Sequence, residues 1–284
     1  MSVTTIKENT MSDVELPILK TPYTKLNDAL GSLNGFRRGE LVLITSVAHG
    51  YRNELALDLY LGTALVNKPD MIDDSKIPLI LDIVFDTHTF MYKSVLMSRY
   101  RQIINEPEVT DFQLLEKYGY QYRSLVVPHS RNFKLRELFS LANEIIAAGY
   151  ELHQICVGDL SQIDRTDLEG KSISLTEMYN QLRQFFGKLG CTVITTLSLD
   201  EMERMRKLEE SKSMATYLEA QQDMDIDKII QHVDTAITVD FNGESLSIVC
   251  DKHRGSILTE STQDMPIAAE GYFKADEPWV TDDK

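Results

Sequence analysis

The chain contains 284 residues, of which 43% are hydrophobic and 26% are charged. This length and composition are those of one large folded domain or two small ones, and they exclude wholesale disorder. The 44 Asp and Glu residues outnumber the 29 Lys and Arg residues and give a net charge of −15. Because such a surface does not attract nucleic acid, any contact with DNA or RNA must come from a local basic patch.

A polar arm, a strand and a helix are predicted first along the chain. Residues 1–18 are polar and threonine-rich and lack the basic-then-apolar layout of a signal peptide, so we predict a flexible arm. The continuous apolar run 41–44 predicts a buried strand, and the leucine-rich stretch 54–65 is long enough to predict a helix. We predict that the core domain spans residues 19–262 and that an acidic tail follows over residues 263–284.

Strands and helices continue to alternate through the rest of the core. Further strands are predicted over 79–85, 125–127, 154–159, 191–197, 233–239 and 246–250, and helices over 135–148 and 175–189. Asn242-Gly243 is typical of a tight turn between the last two strands. This order predicts an α/β fold with a mostly parallel central sheet, helices on both faces and an antiparallel edge.

Cysteine usage and hydropathy bear on the cellular compartment. Cys156, Cys191 and Cys250 lie far apart, without metal-ligand spacing, and predict buried free thiols in a reducing, cytoplasmic compartment. The six histidines include no pair with the spacing of a metal site. No apolar stretch approaches the roughly 20 residues that span a bilayer, so no membrane partner is predicted.

Two segments ahead of the first strand carry a resemblance to a known family. Residues 21–27 read T-P-Y-T-K-L-N, and residues 35–41 read G-F-R-R-G-E-L. They resemble the start of the RecA-like domain of DnaB-type (superfamily 4) replicative helicases, where T-G-(Y/F)-x-x-L-(D/N) leads through G-L-x-x-G-(D/E)-L into the first strand. They are also similar to the wider group of RecA, RadA and KaiC ATPases. The resemblance implies a RecA-like fold, ATP and Mg²⁺ as cofactors, and a ring-shaped homo-oligomer acting on single-stranded DNA.

The phosphate-binding loop of that family is altered in this chain. Its pattern, G-x-x-x-x-G-K-(S/T), surrounds phosphates with glycine backbone, neutralises them with lysine and holds Mg²⁺ with a hydroxyl. Residues 46–53 stand in that register and read S-V-A-H-G-Y-R-N. An arginine fork does not fit where a compact ammonium sat, so we predict that ordinary Mg-ATP binding is lost or weakened. The candidate cofactor-binding residues are Ser46, His49, Gly50, Tyr51, Arg52 and Asn53.

The segment that would hold the metal is better matched. Residues 157–163 resemble the family's h-h-D-Y-L-Q-L, which implies that Asp159 holds Mg²⁺ and that Gln162 senses the nucleotide. An Asp at a strand end can instead cap a turn. Ser198 stands where the family has a sensor Gln, which weakens the predicted coupling to nucleotide.

Three further positions are candidates for catalysis. Asp86 falls where the family has a Glu that polarises the attacking water, and the alternative is a solvated acid at a strand end. Lys252 and Arg254 resemble the family's K-x-R, which implies that they reach the nucleotide of a neighbouring subunit. The alternative for this pair is a basic loop at a strand end.

Two segments fall where the family contacts DNA. Arg165 and Lys171 lie in the segment that resembles the first central-channel loop, and Arg204, Arg206 and Lys207 lie in the second. Because glutamates are interleaved with the second set, that stretch also fits an exposed helix with paired charges.

Two functional interpretations follow from the sequence. The first is a helicase-like NTPase that couples nucleotide binding and hydrolysis to single-stranded DNA in replication or recombination. The alternative is a catalytically inactive paralogue, without a cofactor, that serves as a binding or assembly module among replication proteins.

Overall fold

The protein is described by a computed structural model that covers most of the predicted core. The described residues are 16–30, 34–46, 51–85, 97–98, 101, 108–110, 113, 122–129, 133–166, 169–199, 226–241, 245–253, 256–257 and 262–266.

Strands alternate with helices along the chain. The strands are β1 (Ile18–Leu19), β2 (Phe36–Arg37), β3 (Leu41–Ser46), β4 (Ile77–Phe85), β5 (Arg123–His129), β6 (Tyr150–Asp159), β7 (Thr192–Ser198), β8 (Thr235–Phe241), β9 (Ser245–His253), β10 (Ser256–Ile257) and β11 (Thr262–Pro266). The helices are α1 (Thr24–Ala29), α2 (Arg52–Val66), α3 (Leu135–Ala147), α4 (Leu175–Lys188) and α5 (Ile226–His232).

The central sheet is mostly parallel with one antiparallel edge. Strands β5, β4, β6, β7, β3 and β8 lie side by side in that order and run parallel. Strand β9 is antiparallel to β8, and both β10 and β11 pair with β9. Strands β1 and β2 form a separate antiparallel pair. The predicted α/β class and antiparallel edge are therefore confirmed.

Helices cover both faces of the sheet because the side chains of its strands alternate. In β3, Leu41 and Leu43 join an apolar cluster with α3, α4 and α5, whereas Val42 and Ile44 join a cluster with α1 and α2. Every residue of β3 is buried, which explains why this strand reads as a continuous apolar run rather than an alternating pattern.

The segment that carries the family resemblance is fixed by reciprocal hydrogen bonds. The Thr21 backbone N–H donates to Asn27 Oδ1 at 2.9 Å, and Asn27 Nδ2 donates back to the Thr21 carbonyl at 3.0 Å. Tyr23 Oη donates to Asp58 Oδ2 of α2 at 2.6 Å. The first two hydrogen bonds close the segment on itself, and the Tyr23 hydrogen bond attaches it to the helix that follows β3.

Several element boundaries differ from the prediction: β4 begins at Ile77 rather than at 79, β5 at Arg123 rather than at 125, and β8 at Thr235 rather than at 233. Strand β6 begins at Tyr150, before the predicted start at 154, because the polar residues near its start are buried against partners elsewhere in the chain. Strand β11 crosses the predicted boundary at residue 262. The predicted turn at Asn242-Gly243 lies outside the described residues.

The thiols agree with the prediction of buried free cysteines. Cys156, Cys191 and Cys250 are all buried and free, and burial raises the pKa of both Cys156 and Cys191. Within the described ranges, no helix is long and apolar enough to cross a bilayer.

A close contact between α2 and Pro22 predicts an unusual response to a helix-favouring substitution. A Cβ at Gly62 would overlap Pro22 Cγ and lie 2.7 Å from its Cδ and 2.9 Å from its Cβ. Although Gly→Ala within a helix normally stabilises by up to about 1 kcal/mol, we expect Gly62→Ala to lower the free energy of unfolding by about 1–3 kcal/mol. Urea denaturation measures this change.

Gly187 in α4 provides the matched control. The nearest atom to a Cβ at Gly187 is the Gly39 carbonyl oxygen at 3.6 Å, an ordinary contact, so Gly187→Ala should be neutral or stabilising. Equal stabilisation by the two substitutions would contradict the predicted clash.

Candidate functional site

The carboxyl ends of three neighbouring strands form a polar crevice beside the start of α2. Ser46 ends β3 and is level with Ser198, which ends β7, while Asp159 ends β6 and is level with Thr196. All four residues are buried. This is the edge of an open parallel sheet at which ligands bind.

Arg52 projects from the first turn of α2 into this crevice. Its Nη1 donates to Ser46 Oγ at 3.2 Å, and its Nη2 lies 3.8 Å from Asp159 Oδ2. The Arg52 side chain is 14% exposed and that of Asp159 is 4% exposed, so this ion pair is largely screened from solvent. The structure therefore brings together two residues of the altered loop, Arg52 in the lysine position and Ser46 in the first-glycine position, with Asp159 at the end of β6.

Asp159 is engaged through both carboxylate oxygens. Oδ1 accepts a hydrogen bond from the Ser161 backbone N–H at 3.0 Å, which caps a short 3-10 turn over Leu160–Gln162. Oδ2 accepts from the Ser198 backbone N–H at 3.2 Å. The capping role considered for this residue is thus present together with the contact to the crevice.

Asn53 is tied to the neighbouring strand. Its Oδ1 accepts a hydrogen bond from Thr196 Oγ1 at 2.9 Å. Neither Thr196 nor the Ser198 backbone was among the sequence candidates, although the polar run T-T-L-S at the end of an apolar strand was a signal that hydroxyls meet at this edge.

Tyr51 occupies the second glycine position without requiring glycine. Its φ is −39°, outside the left-handed region, and its carbonyl accepts the hydrogen bond from Leu55 N at 2.8 Å that starts α2. Its side chain is half-buried against the apolar cluster of α1 and α2. The tyrosine ring therefore packs against apolar side chains at the start of α2.

The donor set does not fit a family-type Mg²⁺ site. Magnesium requires near-octahedral oxygen ligands at about 2.0–2.1 Å. Asp159 Oδ2 faces a guanidinium, Asn53 Oδ1 accepts from Thr196, and Ser46 Oγ accepts from Arg52. Among the described residues, no group of three or more His, Cys, Asp or Glu side chains could hold a metal ion.

Other predicted residues lie apart from the crevice contacts. Gln162 and Lys171 are exposed, and Arg165 is half-exposed. The loop that carries Arg165 and Lys171 is closed by a bridge between Thr166 and Ser172. Lys171, in the described part of this loop, is therefore presented to solvent.

Lys252 lies toward the opposite end of the sheet. Lys252 of β9 pairs with Ala236 of β8. Ala236 in turn pairs with Leu43, three residues before Ser46 at the carboxyl end of β3. Because β9 runs antiparallel, this position lies away from the crevice of its own chain. The predicted residues outside the described ranges are His49, Gly50, Asp86, Arg204, Arg206, Lys207 and Arg254.

A second polar cluster, missed by sequence reasoning, lies at the amino ends of the strands. Arg38 is 2% exposed; its Nη2 donates to Glu151 Oε1 at 2.6 Å, its Nε donates to the Gly190 carbonyl at 2.8 Å, and its Nη1 donates to the Asp70 carbonyl. Glu151 also accepts from the backbone N–H of Asp73 at 2.9 Å. We call Arg38, Glu151 and His153 the amino-end cluster.

The amino-end cluster shifts the pKa of its members. Burial opposes ionisation of Glu151, but the hydrogen bonds from Arg38 and from the Ile72 and Asp73 backbone outweigh it and lower its pKa. Burial and the Arg38 charge lower the pKa of His153 to about 4, although its Nε2 lies 3.3 Å from Glu151 Oε1. Tyr122 packs edge-on against His153, with 5.2 Å between ring centroids, and burial raises its pKa to about 12.

Comparisons with known proteins agree on the architecture. One solved structure, described as an ATPase domain, has a TM-score of 0.59 and 12% identity, and the match covers 94% of this chain and 94% of that one. The flagellar accessory protein FlaH from Methanocaldococcus jannaschii has a TM-score of 0.56 and 13% identity, covering 92% of this chain and 97% of its own. At these identities the two structures establish a shared fold.

Sequence comparison defines the family. No curated protein sequence matches the chain significantly. The family model for divergent DnaB-like ATPases matches residues 2–263, nearly the whole chain. The chain therefore belongs to the divergent DnaB-like ATPase family.

Proposed function

We propose that this DnaB-like chain is a binding and assembly module that retains the RecA-like scaffold but does not carry out Mg-ATP hydrolysis. The proposal depends on one observation: the side-chain oxygens in the two metal-holding positions, Asp159 and Asn53, are already engaged by protein groups. A hydrolytic cycle in this family would need those oxygens for the metal and its waters.

The changes in the loop act together against hydrolysis. A guanidinium stays charged at all physiological pH values and binds oxygens as a rigid fork, so Arg52 cannot act as the compact ammonium of the family's lysine. Ser198 replaces the sensor Gln, so restoring the loop alone does not restore the coupling. These departures support a scaffold role.

The partners of such a module are other ring-forming subunits or replication proteins. Lys252 lies away from the crevice of its own chain, which supports a role for this strand at an interface between subunits. The three free, buried thiols support a reducing, cytoplasmic setting for the assembly.

A second candidate is a nucleotide-dependent motor on single-stranded DNA. It is favoured by a specific observation: Arg52 places a positive charge at the N-terminal end of α2, within 3.8 Å of Asp159 in the same crevice. A helix N-terminus and a cation together attract phosphate. On this alternative, the exposed Lys171 loop would contact the DNA backbone.

Calorimetric titration with Mg-ATP, together with ATPase assays in the presence and absence of single-stranded DNA, separates the two candidates. We expect no DNA-stimulated hydrolysis from the wild type, and little more from the triple variant Tyr51→Gly/Arg52→Lys/Asn53→Thr, because the sensor position is also changed. An active DnaB-type ATPase domain is the positive control. DNA-stimulated hydrolysis that Asp159→Ala abolishes would overturn the proposal in favour of the motor.

A further inference from the structure

We propose that the Arg52 guanidinium takes the place of Mg²⁺ as the counter-charge of Asp159, so that this crevice excludes divalent cations. This inference rests on the proposed function and deepens it, because it names the residue that prevents the metal from entering. It makes a claim about metal binding that can be tested without nucleotide.

The first step of the argument is the charge balance of Asp159. A buried carboxylate is costly unless it is paired and hydrogen-bonded. Asp159 receives two backbone N–H donors, from Ser161 and Ser198, and its nearest described cation is Arg52 at 3.8 Å. The carboxylate is therefore compensated within the chain and has no need of a metal.

The second step concerns where the guanidinium is held. Arg52 Nη1 is anchored to Ser46 Oγ at 3.2 Å while Nη2 faces Asp159, so two arms of one planar group span the ends of β3 and β6. A divalent cation bound to Asp159 Oδ2 would lie beside this fixed positive charge. Coulomb repulsion in such a screened site is much stronger than in water.

The third step concerns where a metal could bind away from the guanidinium. Asn53 Oδ1, in the other metal-holding position, accepts the hydrogen bond from Thr196 at 2.9 Å, so a metal in this crevice must bind at Asp159, beside Arg52. Arginine also cannot lose its proton to relieve the repulsion, whereas a lysine can when it is buried. The exclusion should therefore persist over the whole pH range in which the protein is folded.

The experiment is a Mn²⁺ titration followed by electron paramagnetic resonance, with no nucleotide present. The proteins are the wild type, Arg52→Ala, and Arg52→Ala/Asp159→Asn as the matched control that lacks the carboxylate. The control is needed because the net charge of −15 gives weak, non-specific Mn²⁺ binding elsewhere. We expect the wild type to match the control, and Arg52→Ala to gain Mn²⁺ affinity at one site by about tenfold or more.

Arg52→Met is the second variant, because it keeps an unbranched stem in the crevice while removing the charge. Arg52→Met is expected to gain the same Mn²⁺ site, so it provides the test if Arg52→Ala does not fold. The inference is overturned if the wild type holds a Mn²⁺ ion that Asp159→Asn removes, or if no folded variant that lacks the Arg52 charge gains a site.

The two proposals can fail separately. DNA-stimulated ATP hydrolysis by a wild type that takes up no Mn²⁺ at Asp159 would remove the proposed function and leave the charge replacement intact. A wild type that binds Mn²⁺ at Asp159 but does not hydrolyse ATP would remove the charge replacement and leave the proposed function intact.

Discussion

Replacing Arg38 with methionine is expected to lower the free energy of unfolding by about 3–5 kcal/mol, because it leaves Glu151 as a buried, uncompensated charge. Arg38 and Glu151 are 2% and 6% exposed, and the guanidinium also satisfies the carbonyls of Gly190 and Asp70. The loss should be measurable as a lower urea midpoint with an unchanged m-value.

Arg37 is the matched control for this experiment. It is the same residue type one position earlier, but it is exposed, so Arg37→Met should change the stability by no more than about 0.5 kcal/mol. The double variant Arg38→Met/Glu151→Gln removes both charges and should recover part of the loss. If Arg38→Met were no more destabilising than Arg37→Met, the ion pair would not be a stabilising feature of the fold.

The alternation of strands and helices could be predicted because it depends on local periodicity. The continuous apolar run of β3 marks a strand that is covered on both faces, and the spacing in α3 and α4 marks helices with one buried side. The relative placement of Ser46, Arg52 and Asp159 followed from topology, since parallel strands bring their carboxyl ends to one edge.

The amino-end cluster could not be predicted in the same way. Glu151 and His153 interrupt the apolar pattern at the start of β6, so a pattern-based prediction delays the strand to residue 154. Glu151 can be buried because Arg38, 113 residues earlier in the chain, supplies the compensating charge. Such a partner becomes visible only when the sheet has been assembled.

The same limit applies to the crevice. The Asn53 hydrogen bond depends on Thr196, which is 143 residues away and is placed by the register of β7 beside β3. The sequence could show that Asn53 lacks the hydroxyl with which the family holds Mg²⁺, but not that its oxygen already has a donor. The structure adds that physical reason to the argument from residue types.

Acidification is expected to destabilise the protein through His153 before most carboxylates are protonated. The pKa of His153 is lowered from 6.5 to about 4 by burial and by the Arg38 charge. Between these two values the unfolded chain binds a proton that the folded chain does not, so stability falls as the pH decreases from about 6.5 toward 4. The complete loss is on the order of 3 kcal/mol.

His153→Gln should reduce this dependence, because glutamine does not titrate. The free energy of unfolding, measured by urea denaturation at several pH values, should fall less steeply below pH 6.5 in the variant than in the wild type. The histidine ring signals should also report directly, since His153 is expected not to titrate above about pH 5 in the folded state. Parallel wild-type and variant curves over this window would contradict the assignment.

Glu151 affects stability over a different pH window, which allows the two groups to be separated. Its pKa is lowered from 4.5 in the folded protein, so its stabilising contribution is present above that value and is lost only as the pH falls further. Loss of stability between pH 6.5 and 5 would therefore come from the histidine rather than from this carboxylate. Arg38 contributes to both pKa shifts, because it donates a hydrogen bond to Glu151 and disfavours a second positive charge on His153, while burial is the largest cause of the lowered pKa of His153.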